Sequence, residues 1–166
     1  MSRVHLVFGY GSLPAEVAGI ACALRDHRRE WDVAMDNRET IPGYKVYLDP
    51  ETGEQPPVHV AYLSIAPAQG ERVEGVAFPV TDEQLAALDR RERNYDRRDV
   101  THLIDADLGG RVWAYVGSAA GRRRLADGRR RGTAVVVRGY LEKLPRAVVV
   151  PPDVPVRTLL RRDVGA

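Results

Sequence analysis

Cysteine is nearly absent from this chain: Cys22 is the single one in 166 residues. One thiol cannot close an intramolecular disulfide, and it excludes a cysteine-based zinc finger. Lysine is almost as scarce, since Lys45 and Lys143 are the two lysines among 25 basic residues. The rest are arginines, the bias that a GC-rich coding sequence gives by default. Basic residues outnumber acidic ones by only 25 to 23, a near balance that argues against a dedicated nucleic-acid binder. No segment approaches the ~20 apolar residues of a membrane span. The start, Met1-Ser2-Arg3-Val4-His5, runs straight into a strand-like segment without a signal-peptide core. These absences lead us to expect a soluble cytoplasmic protein with no membrane and no nucleic-acid partner. Cys22 sits in the apolar run Val17 to Leu24 and reads as a small core residue rather than a nucleophile.

The length fits one domain, 1–166, that buries roughly 70% of its unfolded surface. Residues 145–166 read as an extended C-terminal tail, with prolines at 151, 152 and 155. Val4 to Tyr10 reads as a buried strand, broken by Gly9 and Gly11, and Ala15 to Leu24 as a helix. Further strands are expected at Trp31 to Ala34, Lys45 to Leu48, Val58 to Ile65, Glu74 to Val80, Asp99 to Asp105 and Arg111 to Val116. The clearest helix is Thr81 to Glu92, where Thr81 and Gln84 make a capping box and Asp82 and Glu83 suit the positive helix end. A second is expected at about Thr133 to Leu144. Between them, the arginine triplets Arg122–Arg124 and Arg129–Arg131 read as a solvated loop. Many short strands with a few separate helices suggest an α+β fold around a closed or nearly closed sheet.

Two places carry chemistry. Gly9-Tyr10-Gly11-Ser12-Leu13 joins a strand to a helix start. Its backbone N–H groups suit a carboxylate or phosphate, and an ordinary tight turn is the equal alternative. Pro14 stands where a dinucleotide fingerprint needs glycine, and Tyr10 and Pro14 stand where a nucleophile elbow does. Ser12 is therefore read as a hydrogen-bonding or capping residue.

The second place is Glu92. Leu85, Leu88 and Glu92 fall at i, i+3 and i+7, on one stripe of the helix. An inward carboxylate near the helix C-terminus would have the raised pKa of a general acid/base. The alternative is that Glu92 pairs in water with Arg90, Arg91 or Arg93. The histidines at 5, 27, 59 and 102 are scattered without ligand spacing, so no metal and no cofactor is expected.

Several segments taken together are more specific. Phe8-Gly9-Tyr10-Gly11-Ser12-Leu13 is followed by Gly75-Val76-Ala77-Phe78-Pro79-Val80, by Leu85-x-x-Leu88-Asp89-x-x-Glu92, by Tyr95-x-Arg97-x-x-Val100 and by Val112-Trp113-Ala114-Tyr115-Val116. This order resembles the gamma-glutamylcyclotransferase-like (AIG2-like) family over about residues 4 to 117. The resemblance implies a small mixed β-barrel flanked by helices, with a pocket at one end. It also implies a small gamma-glutamyl substrate held by Tyr10, Gly11, Ser12 and Leu13, and Glu92 as acid/base. Tyr95 and Tyr115 would line the pocket. Two departures concern the pocket wall: Arg93 follows Glu92 where the family often has glycine, and Tyr95 comes closer to the glutamate than in many members. The reaction implied is closure of 5-oxoproline. A non-catalytic metabolite-binding module on the same scaffold is the alternative.

Overall fold

The computed structural model describes residues 4–11 and 18–166. The chain folds into two compact units, one of residues 1–30 and 64–117, the other of residues 31–63 and 118–166. The strands are β1 His5–Gly9, β2 Ile20–Asp36, β3 Lys45–Leu48, β4 His59–Val80, β5 Tyr95–Asp99, β6 Arg111–Gly117, β7 Ala134–Val137, β8 Val156–Arg157 and β9 Leu160–Asp163. The helices are α1 Asp82–Arg91, α2 Ala119–Arg131 and α3 Arg138–Leu141. A large mixed sheet with few helices is the α+β class that the sequence led us to expect.

In the first unit the strands run in the order β5-β6-β1-β4. β1 is antiparallel to β4, with Val7 opposite Phe78, and parallel to β6, with Val7 opposite Trp113. Leu6, Val7 and Phe8 are buried, as a strand covered on both faces requires. One face holds Leu6, Phe8, Cys22, Leu24, Ile65, Val73, Ala77 and Val112. Cys22 is thus the buried core residue expected of it, and burial pushes its thiol pKa up. On the other face Val7, Leu85 and Tyr115 meet Phe78, Val80, Leu88, Tyr95 and Trp113.

Helix α1 begins as its sequence dictates. The Thr81 side chain accepts from the Gln84 N–H, and the Gln84 side chain accepts from the Thr81 N–H. Gly75 shows why β4 can approach the end of β1. A Cβ there would fall on the Gly9 carbonyl oxygen and lie 2.6 Å from Phe8 Cζ. Backbone and a buried ring cannot both yield.

In the second unit β7 lies parallel to β4, pairing with its first residues, and to β8, while β3 pairs antiparallel with β9. Its core gathers Ala34, Ala61, Leu125, Ala134, Val136 and Val154. Both Asp36 carboxylate oxygens accept from the Arg38 guanidinium, and Oδ1 also accepts from the Arg38 N–H. These hydrogen bonds pull its carboxyl down to about 2. The buried His59 ring bonds Thr133 Oγ1 at 2.8 Å, and its Nε2 lies 3.9 Å from Asp36 and 3.8 Å from Asp127. Burial depresses the His59 pKa against the pull of those two carboxylates.

Four sequence expectations need correction. Of the helix expected at Ala15 to Leu24, residues 15–17 lie outside the described residues and Ile20–Leu24 belong to β2. The strands expected at Val58 to Ile65 and Glu74 to Val80 are parts of one long strand, β4. The strand expected at Asp99 to Asp105 starts earlier, as β5, and gives way to a 3-10 turn at Thr101–Leu103. In place of a helix at Thr133 to Leu144, the buried run Ala134–Val137 is strand β7 and only Arg138–Leu141 is helical. β-Branched valines buried together suit a parallel strand better than a helix.

The arginine-rich segment is also a correction, because it is helix α2 rather than a loop. Ser118 caps its start, Gly132 closes it at φ 71°, and Gly121, Leu125 and Gly128 form its buried face. Its arginines serve structure: Arg122 pairs with Asp32, Arg129 with Asp153, and Arg130 and Arg131 with Asp127. Arg124 donates to the Ala34 carbonyl. No helix among the described residues is long and apolar enough to cross a membrane.

Gly75→Ala is expected to lower unfolding free energy by about 1–3 kcal/mol, read from urea unfolding. Asp36→Asn tests the second unit. The Asp36 carboxylate, with a folded pKa of about 2, stabilises the fold above its ordinary unfolded value and loses that contribution as pH falls towards 2. Wild type should exceed Asp36→Asn by about 1–2 kcal/mol at pH 6, and the gap should narrow as pH falls to 2 and close below it. A gap unchanged across that range would show that Asp36 contributes through packing alone.

Candidate active site

β1 carries the chain to Tyr10 and Gly11, at the edge where β6 presents Tyr115. The Tyr10 hydroxyl donates to the Tyr115 carbonyl oxygen. The Tyr10 carbonyl oxygen in turn accepts from Arg29 Nε at 2.8 Å, and the same guanidinium donates to the Glu74 carbonyl. Arg29, from β2, thus forks between the residue after β1 and the residue before Gly75. Ser12 and Leu13, the rest of the expected loop, lie outside the described residues.

Helix α1 supplies the carboxylates. Leu85 and Leu88 pack against Val7 and Tyr115 as their spacing required. Asp89 is next in sequence, and Glu92 is one turn beyond it as the C-cap, its N–H bonded to the Leu88 carbonyl at 2.8 Å. The Glu92 side chain is 28% exposed, and Arg91 Nη2 lies 3.8 Å from its Oε1. It is therefore half-buried, between the inward and the water-paired alternatives. The turn after the helix is closed by the Tyr95 N–H on the Glu92 carbonyl at 3.2 Å. That turn places Tyr95 in the cluster with Leu85, Leu88 and Tyr115.

Tyr115 joins the parts. Its hydroxyl donates to Asp89 Oδ1 at 2.7 Å, and Arg97 Nε donates to the same oxygen at 2.9 Å. The Arg97 guanidinium lies over the Trp113 ring, 4.2 Å from its centre, a cation–π contact. Burial first, then the hydrogen bond and charge of Asp89, push the Tyr115 phenol well above its usual range. Arg97 opposes that push and the charge of Glu92 adds to it. Tyr10, Tyr95, Tyr115 and Glu92 all belong to the first unit. Asp89, Arg97 and Arg29 stood in the sequence without a role. Asp89 and Arg97 lie within the helix and strand motifs quoted above, and that placement was the available signal. Arg29 had none, since its partners are main-chain oxygens.

A family model described as gamma-glutamyl cyclotransferase, AIG2-like, matches residues 7–131. No curated protein matches the chain. Among solved structures, a gamma-glutamyl cyclotransferase aligns with a TM-score of 0.44 at 17% identity, over 70% of this chain and 68% of that one. A solution structure from Arabidopsis thaliana aligns with a TM-score of 0.44 at 18% identity, over 72% of this chain and 66% of that one. A glutathione-specific gamma-glutamyl cyclotransferase from yeast aligns with a TM-score of 0.44 at 12% identity, over 70% of this chain and 69% of that one.

The Arg29 fork makes a specific prediction. Arg29→Lys keeps the charge but cannot reach two carbonyl oxygens in one plane. It is expected to destabilise the protein by about 1–2 kcal/mol and to speed amide hydrogen exchange at residues 10 and 11. Unchanged exchange there would mean that the fork does not hold the loop.

Proposed function

Because the chain belongs to the AIG2-like gamma-glutamyl cyclotransferase family, we propose that it cyclises a small gamma-glutamyl amide, with Glu92 as general acid/base. The single observation that carries this reading is the half-buried Glu92 carboxylate, set at the end of α1 beside Asp89 and Tyr115.

The reaction asks little of the protein. The substrate carries its own nucleophile, the α-amine, four bonds from the γ-carbonyl carbon. The new N–C bond closes a five-membered ring, and the old C–N bond to the leaving amine breaks. Glu92 takes a proton from the attacking nitrogen and returns it to the departing one, so the carboxylate ends as it began. The protein's further task is to hold the chain folded with amine and carbonyl in contact, which can supply a large part of the rate. Tyr10, Gly11, Ser12 and Leu13 are assigned to the substrate's anionic end, where backbone N–H groups are suited to an anion. Tyr95 and Tyr115 are assigned to the pocket wall. The chemistry calls for no metal and no cofactor.

The test is release of 5-oxoproline from gamma-glutamyl amino acids, gamma-glutamyl amines and glutathione. Wild type is expected to turn over at least one class. Glu92→Gln should lower kcat by about 10²–10⁴ with KM changed by no more than a few-fold. Full turnover by Glu92→Gln would remove the glutamate from the mechanism. Tight binding of gamma-glutamyl compounds by wild type without product would make the protein a binding module instead.

A further inference from the structure

We propose that Asp89 is a positioning residue that fixes the polarity of Tyr115: it takes the hydroxyl's proton, so that the phenol meets the substrate as an acceptor and holds one N–H of the attacking amine. This deepens the proposed function and rests on it.

A phenol has one hydrogen to give and lone pairs that accept. An ionised carboxylate only accepts, so at the 2.7 Å contact between Tyr115 and Asp89 the hydrogen lies between them and comes from the tyrosine. Arg97 donates to the same carboxylate oxygen at 2.9 Å, and its guanidinium is seated over Trp113. A guanidinium stays protonated at any ordinary pH and can only donate, so the Asp89 oxygen it meets is an acceptor. With its one proton held by Asp89, Tyr115 cannot donate to an oxyanion. The Tyr10 hydroxyl likewise gives its proton to a carbonyl oxygen, that of Tyr115. Neither of these two phenols is left to donate to a developing oxyanion.

The same proton count explains what an acceptor achieves there. Asp89 lies in the last turn of α1 and Glu92, the C-cap, follows three residues on, a spacing that makes side chains neighbours on a helix surface. Tyr115 touches Asp89, and the charge of Glu92 acts on its phenol. A neutral primary amine has two N–H bonds and one lone pair. If Tyr115 accepts one N–H and Glu92 the other, the remaining direction, the lone pair, is aimed at the carbonyl carbon. Glu92 then takes the proton it already holds by hydrogen bond as the N–C bond forms. Tyr115 exchanges no proton, so the balance of the reaction is unchanged.

The test pairs kinetics with a measurement that needs no substrate. Asp89→Leu removes the acceptor, whereas Asp89→Asn keeps an amide oxygen in its place. Asp89→Leu is expected to lower kcat/KM for 5-oxoproline release about tenfold, chiefly through KM, because the amine is already held in the ground state. Asp89→Asn should recover most of that loss. In a Tyr115→Phe background, Asp89→Leu should cost nothing further. In parallel, the ring Cζ signal of ¹³C-labelled tyrosine, assigned to residue 115 by its loss in Tyr115→Phe, should show no ionisation up to about pH 11 in wild type. In Asp89→Leu it should titrate at lower pH. Equal kinetic losses in both backgrounds, or an unaltered Tyr115 titration, would overturn the proposal. If wild type releases no 5-oxoproline from any compound, the proposed function fails by itself, and the tyrosine titration still decides whether Asp89 governs the Tyr115 proton.

Discussion

The pairing of β1 on both its edges is the constraint from which the rest of the site follows. Val7 has Phe78 on one side, antiparallel, and Trp113 on the other, parallel. That register alone brings the residue after β1, Tyr10, beside Tyr115 on β6. Helix α1 starts directly after β4, behind the Thr81 cap, so its position depends on the same pairing. A slip of β4 by one residue would turn Phe78 and Val80 to the opposite face. Leu85 would then lose its contact surface, and Asp89 would lose Tyr115. The bare backbone at Gly75 is what lets β4 run past the end of β1 at this distance.

Several parts of this arrangement were legible in the sequence for physical reasons. The capping box at Thr81 and Gln84 is a local interaction, complete within four residues, so no tertiary contact was needed to read it. β1 and β3 were legible because compact apolar runs bounded by turn formers have few other uses. The spacing of Leu85 and Leu88 gave the inward face of the helix. It did not give the depth of Glu92, because exposure depends on what β6 and the turn at Tyr95 place around it.

The misreadings have equally specific causes. Helix α2 hides behind its arginines because two of its three buried positions, Gly121 and Gly128, are glycines, and hydrophobic periodicity does not register a missing side chain. Gly128 sits there because a Cβ would meet the buried His59 ring. The run Ala134–Val137 followed by Tyr140, Leu141 and Leu144 fits helical spacing on paper. The sheet takes the valines first, since all four residues are covered beside β4 and β8. Ile20–Leu24 went wrong for a related reason: an apolar run bounded by glycine fits either element, and only the partner strand decides.

Two carboxylates one turn apart near a helix C-terminus are an electrostatic liability, since the helix dipole and their mutual repulsion both oppose them. The structure divides the pair. Asp89 has the Arg97 guanidinium at 2.9 Å, braced on an indole, and a buried phenol on the same oxygen. Glu92 has the Arg91 guanidinium at 3.8 Å, an ion pair without the close contacts that Asp89 makes with Arg97 and Tyr115. A carboxylate locked into charge-assisted bonds is a poor proton carrier, because each proton it gained would break them. Asp89 thus suits the fixed member of the pair, which leaves the proposed proton transfer to Glu92. That division assigns the arginines around the helix end opposite values. Arg97 helps by bracing Asp89 in place, whereas Arg91 would compete with the amine of the proposed reaction for Glu92.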